Sequence, residues 1–155
     1  MTTDDTILCL NDLTETCKDG EQGYRTAAEH VSNTQLKTVF GDYAKQRGEF
    51  ARHLQAEVER LGGKPTDSGT MTAALHRGWM DLKSALSGGD GAAIIAACET
   101  GEDSAAAAFE RVVDMELTGQ TRSLVEKQWQ KIKEAHTHML RLKEEAAGRD
   151  FPKNE

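Results

Sequence analysis

Apolar residues recur every three or four positions over four long stretches of the chain, and this spacing predicts α-helices rather than strands. The two prolines and the paired glycines fall between these stretches, where they interrupt a helix least. We therefore predict an all-α fold in which residues 1–148 form one domain and residues 149–155 form a frayed tail. The four predicted long helices cover about 5–31, 35–61, 91–117 and the stretch after the turn at 118–120.

The breaks between these helices predict how they are connected. Ser32-Asn33-Thr34 leaves only a short turn after the first helix, and residues 118–120 do the same after the third. Gly62-Gly63 ends the second helix, and the longer connection that follows contains a short amphipathic segment at 71–86. Two hairpins of matched length with one long crossover predict a ferritin-like four-helix bundle with a short fifth helix. A plain up-down bundle of five helices is the alternative that fits the same periodicity.

Several polar residues fall within or beside the apolar stripes when each predicted helix is projected along its axis. Paired positions in an antiparallel hairpin have a nearly constant index sum. This rule places Glu21 opposite Arg47 in the first hairpin, and Glu102 opposite His136 in the second. It also places Gln128 opposite Phe109. The sequence thus predicts a buried polar cluster of Glu21, Arg47, Glu102, Gln128 and His136.

Two interpretations of this polar cluster follow from its position in the middle of the bundle. Charges there must be paired, because an isolated buried ion is costly. One interpretation is an ion-pair network that fixes the register of the helices. The other is a metal centre, since inward carboxylates and a histidine are also what a metal requires. A mononuclear iron or manganese site would use Glu21, Glu102 and His136 as ligands.

A complete di-iron site is not expected, because it needs a Glu-x-x-His pair on each of two helices. The second helix has Arg47 and Phe50 at these positions, and Lys133 precedes His136 at the same spacing. Arginine keeps its proton and offers no lone pair, so it would repel a divalent ion. We therefore expect no resident cofactor, with iron or manganese as the alternative.

Charge and composition exclude several classes of partner. The net charge is -7, and lysine and arginine form no clustered patch of the kind that neutralises phosphates. The chain has no apolar run of about 20 residues that could cross a bilayer, and its polar start has no features of a signal peptide. Three cysteines without paired spacing fit reduced thiols. We expect a cytoplasmic protein without nucleic-acid or membrane partners.

The predicted crossover helix carries His76 and Trp79. A large aromatic side chain there can pack over one end of the bundle, or it can form part of a surface for a partner. Exposed apolar residues along 71–86 would favour a homo-oligomer or another protein partner at this surface.

Four short motifs resemble those of one bacterial family. They are Asp19-Gly20-Glu21-Gln22-Gly23-Tyr24, Gln46-Arg47, Leu75-His76-Arg77-Gly78-Trp79 and Gly101-Glu102-Asp103. From about Leu8 to Leu142, the chain resembles ferritin-like four-helix-bundle proteins that carry a domain of unknown function and are often grouped with stress-associated proteins. The resemblance implies a ferritin-like fold and an association with the stress response. The matching positions are Glu21, Arg47, His76, Trp79 and Glu102.

The same comparison argues against ferroxidase or peroxidase activity, since both Glu-x-x-His positions of metal-loaded ferritins and rubrerythrins are altered here. The sequence also contains no nucleophile, phosphate-binding or dinucleotide-binding motif. We predict a non-catalytic bundle that acts through protein contacts, with the polar cluster as a structural core. A metal-binding ferritin-like protein using Glu21, Glu102 and His136 is the alternative.

Overall fold

The computed structural model describes residues 1–67, 78–88 and 91–148, and all regular structure within these ranges is helical. The all-α prediction is therefore confirmed. Residues 71–77 of the predicted 71–86 segment, which include His76, and the predicted tail at 149–155 lie outside the described residues. Within these ranges the α-helices are α1 (Thr3–His30), α2 (Thr34–Arg60), α3 (Met80–Gly88), α4 (Gly91–Val113) and α5 (Gly119–Gly148).

Side-chain caps fix where the first two helices begin. Thr2 and Asp5 form a capping box at α1, in which each side chain accepts a hydrogen bond from the other residue's backbone N–H. Asn33 caps α2 by accepting a hydrogen bond from the N–H of Leu36 at 3.0 Å. The caps place these two helix starts within two residues of the predicted positions.

The end of α4 differs from the prediction, which continued this helix to residue 117. The helix ends at Val113, and the backbone then tightens, with the N–H of Met115 bonded to the carbonyl of Val112. This turn brings Leu117 into the core, where it is 4% exposed. Leu117 therefore fits the apolar pattern of α4 without belonging to the helix. Gly119, with φ of +58°, then starts α5.

The four long helices contact one another in a closed ring. Helix α1 packs along α2, and α4 packs along α5; α1 also contacts α4, and α2 contacts α5. The short helix α3 packs against α4 and α1. Two apolar clusters fill the interior, one around Tyr24 and Phe40 and the other around Leu54 and Phe109.

A polar layer lies between the two apolar clusters. Arg47 on α2 falls between Ala44, which belongs to the first cluster, and Ala51, which belongs to the second. Glu102 occupies the same position on α4, between Cys98 and Ala105. The inward-facing periodicity of both helices thus continues through a charged residue at the same level of the core.

Trp79 attaches the crossover to both hairpins. Its indole ring is 4% exposed and lies against Gly23 of α1 and Gly101 of α4. A Cβ atom at either glycine would come within 2.3 Å of the ring. Both glycines are therefore needed for the ring to fit, and Trp79 packs inside the molecule rather than contributing to an exposed surface.

Candidate functional site

The polar layer is centred on an ion pair between α2 and α4. Arg47 Nη2 lies 2.6 Å from Glu102 Oε2, and the two side chains are 1% and 0% exposed. The hydroxyl of Tyr24 on α1 donates to the same carboxylate oxygen at 2.5 Å. Three helices thus contribute to one buried hydrogen-bonded unit. Such a pair is tolerated in a core only when its geometry and further hydrogen bonds offset the loss of solvation.

Arg47 pairs with Glu102 and not with Glu21, so the predicted pairing is wrong. Gly20 has no side chain, so Arg47 packs past it at 3.3 Å from the position of a Cβ and reaches Glu102. Glu21 instead lies over Gly48, 3.1 Å from Arg25 on its own helix, with 22% of its side chain exposed. The missing side chains at two glycines thus set these contacts.

His136 also has a different partner from the predicted one. Its Nε2 atom lies 2.8 Å from Asp103 Oδ1, although the approach is not aligned for a hydrogen bond. Asp103 is 66% exposed and directly follows Glu102 in the sequence. The imidazole is only 24% exposed, and its Nε2 atom is buried. His136 is therefore at the rim of the polar layer, next to Asp103, and not paired with Glu102 as predicted.

The predicted ligand set of Glu21, Glu102 and His136 does not form. Over the described residues, the metal-ligating side chains that come together are Glu99, Asp103 and His136, whose ligand atoms lie within 4.8 Å of one another. Glu102 is bonded to Arg47 and Tyr24. Lys143 Nζ, 3.6 Å from a carboxylate oxygen of Glu99, already supplies one positive charge at this rim cluster.

Some polar atoms of the layer have no hydrogen-bond partner in the protein. They include Arg47 Nη1 and Glu102 Oε1, the outer atoms of the central ion pair, and the side-chain oxygen of Gln128. The amide nitrogen of Gln128 donates to the carbonyl of Phe50 at 3.2 Å. Gln128 therefore lies inside the core, as predicted, and links α5 to α2. Unpartnered buried polar atoms are rare in folded proteins, which marks this layer as a candidate site.

The buried environment of the polar layer shifts the pKa values of its tyrosine, cysteine and arginine side chains. Burial, reinforced by Glu102, raises the pKa of Tyr24 well above its usual value. Burial also raises the pKa of the Cys17 thiol to about 12, and that of Cys98 well above its usual value. Burial would lower the pKa of the Arg47 guanidinium, but the charge and hydrogen bond of Glu102, together with Tyr24 and Cys17, outweigh it and the net shift is upward. Arg47 therefore stays charged, whereas the phenol and thiols stay protonated.

A second hydrogen-bonded pair lies beside the layer and was not anticipated from the sequence. The hydroxyl of Tyr43 on α2 lies 2.7 Å from Nδ1 of His138 on α5. Partial burial lowers the pKa of His138, so the ring is neutral at pH 7 and its Nδ1 can accept the hydroxyl proton. The helical projection did not indicate this contact, because His138 lies off the apolar stripe of its helix.

Another buried carboxylate lies at the far end of the second apolar cluster. Glu57 is 4% exposed and accepts hydrogen bonds from Arg60 at 2.6 and 2.8 Å, from Thr121 and from Gln120. The Arg60 guanidinium is the main cause of the lowered pKa of Glu57. The carboxylate lies at the N-terminal turn of α5, where a negative charge is stabilised. We read it as a clamp between α2 and α5.

These observations define a class: an all-α protein with a charged pair enclosed between two helical hairpins. The chain belongs to the family described as "Domain of unknown function (DUF2383)", which it matches over residues 5–115. The matched range contains Arg47, Trp79 and Glu102, whereas His136 lies beyond it. No curated protein matches the chain. Among the described helices, none has the length and apolar character required to span a membrane.

Proposed function

We propose that this protein is a ferritin-like four-helix bundle in which an ion pair replaces a metal centre, and that it acts in a stress-related role through protein contacts, without catalysis. The closed ring of four long helices and the connection through α3 support the ferritin-like arrangement. The stress-related role rests on the sequence resemblance alone. The observation that carries the proposal is the buried Arg47–Glu102 pair at 2.6 Å.

The charge balance of the core favours this proposal over a core metal. A guanidinium has no lone pair to offer and would repel a divalent ion. It already compensates the carboxylate that such an ion would need, and Tyr24 bonds to the same oxygen. The charge of Glu102 is thus compensated without a metal.

Contacts with a partner protein or a second copy would involve exposed apolar side chains. On α3, Met80 is 57% exposed although it follows the buried Trp79. This exposure supports a partner surface on the crossover helix. A Met80→Lys variant that weakens self-association or partner capture, while leaving the helical content unchanged, would agree with this assignment.

Thermal unfolding with and without a chelator tests the main proposal. The protein purified from iron- and manganese-supplemented cells should unfold at the same temperature before and after exhaustive dialysis against EDTA. The ion pair needs no metal, so metal analysis should find none bound at Glu102. A melting temperature that falls by many degrees after dialysis would overturn the proposal, because the core would then depend on a metal.

A second candidate function is binding of iron or manganese at the rim cluster of Glu99, Asp103 and His136. The favouring observation is the buried Nε2 atom of His136, which lies beside two carboxylates without an aligned hydrogen bond. Carboxylate oxygens and imidazole nitrogen suit both metals. The histidine of the predicted ligand set is kept, and the two carboxylates come from one face of α4 instead of the core.

Calorimetric titration of the metal-free protein with Mn²⁺ tests this second candidate. Stoichiometric binding should be lost in His136→Ala and in Asp103→Asn. His53→Ala and Glu126→Gln, at other positions on the long helices, should bind as the parent protein does. Binding that survives both rim variants would assign the metal to another place.

A further inference from the structure

The chain contains two tyrosines and two tryptophans, and three of these four residues form one group. The ring of Tyr24 lies 5.2 Å from Trp79 and 5.3 Å from Tyr43, measured between centroids. The group runs from Trp79, at 4% exposed, through the fully buried Tyr24 to the partly buried Tyr43. It therefore leads from the core toward the surface.

Each tyrosine of the group has a proton acceptor already in place. The hydroxyl of Tyr24 donates to Glu102 at 2.5 Å, and that of Tyr43 is 2.7 Å from His138 Nδ1. A phenol that loses an electron becomes a strong acid, so its oxidation is favoured where the proton can move along an existing hydrogen bond. Both contacts are short enough for direct proton transfer. Without such an acceptor, oxidation would leave a positive charge in an apolar core, which is costly.

We propose that Tyr43 and His138 form a proton-coupled, one-electron redox site. Trp79 and Tyr24 connect this site to the core and form a path for electron transfer. The proposal goes beyond the function argued above and needs no metal. Its place in the protein would be to carry oxidising equivalents out of the core to a position where a small reductant can remove them.

The reaction requires a one-electron oxidant, such as an inorganic radical. The oxidant takes one electron from the Tyr43 ring and is itself reduced, while the phenol proton moves from the hydroxyl oxygen to His138 Nδ1. The products are a neutral tyrosyl radical and a protonated imidazole. A one-electron reductant such as ascorbate returns the electron, and the proton returns from the imidazole to the phenol oxygen.

The direction of the path follows from the chemistry of the rings. A neutral tryptophanyl radical oxidises tyrosine in water at neutral pH. An oxidised Trp79 should therefore take an electron from the neighbouring tyrosine, and the radical moves to the tyrosines. Tyr24 contacts both Trp79 and Tyr43 and is the connecting ring. Its acceptor oxygen on Glu102 is already bonded to Arg47 in the buried ion pair, whereas Tyr43 lies nearer the surface and has His138 as its acceptor. We therefore expect the radical to end on Tyr43.

The test uses photogenerated tris(bipyridine)ruthenium(III) as oxidant and electron paramagnetic resonance to identify the radical. The parent protein and Tyr24→Phe should both give a tyrosyl signal, and Tyr43→Phe should lose it. His138→Leu should slow tyrosyl formation by roughly 10²-fold, the lower end of the effect of a positioned proton acceptor. Circular dichroism confirms that each variant keeps its helices. A signal that survives Tyr43→Phe, or a rate unchanged in His138→Leu, would overturn the redox site.

The path from Trp79 through Tyr24 to Tyr43 is tested separately with the azide radical, which oxidises tryptophan in preference to most other side chains. In a Trp129→Phe background, Trp79 is the remaining tryptophan. The tryptophanyl absorption should decay as the tyrosyl absorption rises, and adding Tyr24→Phe should slow this transfer several-fold. Equal transfer rates with and without Tyr24 would show that it is not part of the path. His138→Leu remains a readout of the terminal site if a tyrosine variant fails to fold.

Discussion

Glu102 and Asp103 are adjacent on α4, yet they lie in opposite environments. The carboxylate of Glu102 is fully buried and bonded to Arg47 and Tyr24, whereas that of Asp103 is 66% exposed and lies beside His136. Successive residues on a helix point in very different directions, so one peptide bond separates the core from the rim. The comparison shows that the chemistry of a carboxylate here depends on its helical face and not on its neighbourhood in sequence.

Removing one partner of the buried Arg47–Glu102 pair should give the largest loss of stability. Arg47→Met leaves Glu102 as an uncompensated buried charge, which we expect to lower the free energy of unfolding by about 3–5 kcal/mol. Urea denaturation followed by circular dichroism measures the change. The double variant Arg47→Met/Glu102→Leu is the control and should recover most of the loss, because no buried charge remains. A double variant as unstable as the single one would contradict this account.

The clamp at Glu57 should show the next largest effect, together with a dependence on pH. The pKa of Glu57 is below its ordinary value, so its stabilisation is present above that ordinary pKa and is lost as pH falls through the lower folded-state pKa. Glu57→Gln should cost roughly 1.5–3 kcal/mol at pH 7, as expected for hydrogen bonds to a charged group. Stability curves of the parent and variant should converge in acid. Parallel curves down to pH 2 would assign the acid sensitivity to other groups.

The glycines under Trp79 should be less tolerant of a methyl group than a glycine on the outside. Gly101→Ala forces its Cβ against the indole ring and should destabilise the protein by about 1–3 kcal/mol, the usual cost of overpacking. Gly41→Ala is the matched control, because nothing lies within 4 Å of its Cβ position in α2. It should stabilise the helix by about 0.5–1 kcal/mol. Thermal melts of the two variants should shift in opposite directions.

Removing one partner of the Asp103–His136 pair should give the smallest loss of stability. In the metal-free protein, Asp103→Asn removes one partner of a solvent-exposed contact, so we expect a change of about 0.2–1 kcal/mol in the free energy of unfolding. Half-molar salt should reduce this difference further, because it screens exposed charges. A loss as large as that of Arg47→Met would place Asp103 in the core network instead.

The sequence predicted which faces of the helices are inside, because burial follows the helical period. Arg47, Glu102 and Gln128 were placed inward by this period and are buried. The period did not predict partners, since a long arginine side chain can reach any of several carboxylates. Arg47 passes over Gly20 to reach Glu102, and Glu21 lies over Gly48; a helical projection does not represent the space that these glycines leave.

Contacts made outside the apolar stripes were harder to predict for a related reason. Glu57 and Thr121 meet where the end of α2 passes the start of α5, and their contact depends on the crossing of the two helices. Leu117 was assigned to the preceding helix because a buried turn residue can continue the apolar pattern. These features are set by tertiary geometry, which no local periodicity contains.

Trp79 and the two glycines beneath it have a consequence for how this protein can change over evolutionary time. A larger residue at position 23 or 101 can be accepted only if position 79 becomes smaller, and the reverse substitutions must then occur together. The three positions come from three different helical segments and yet should vary as one unit. Related chains that lack this tryptophan should therefore be the ones in which alanine or serine replaces the glycines.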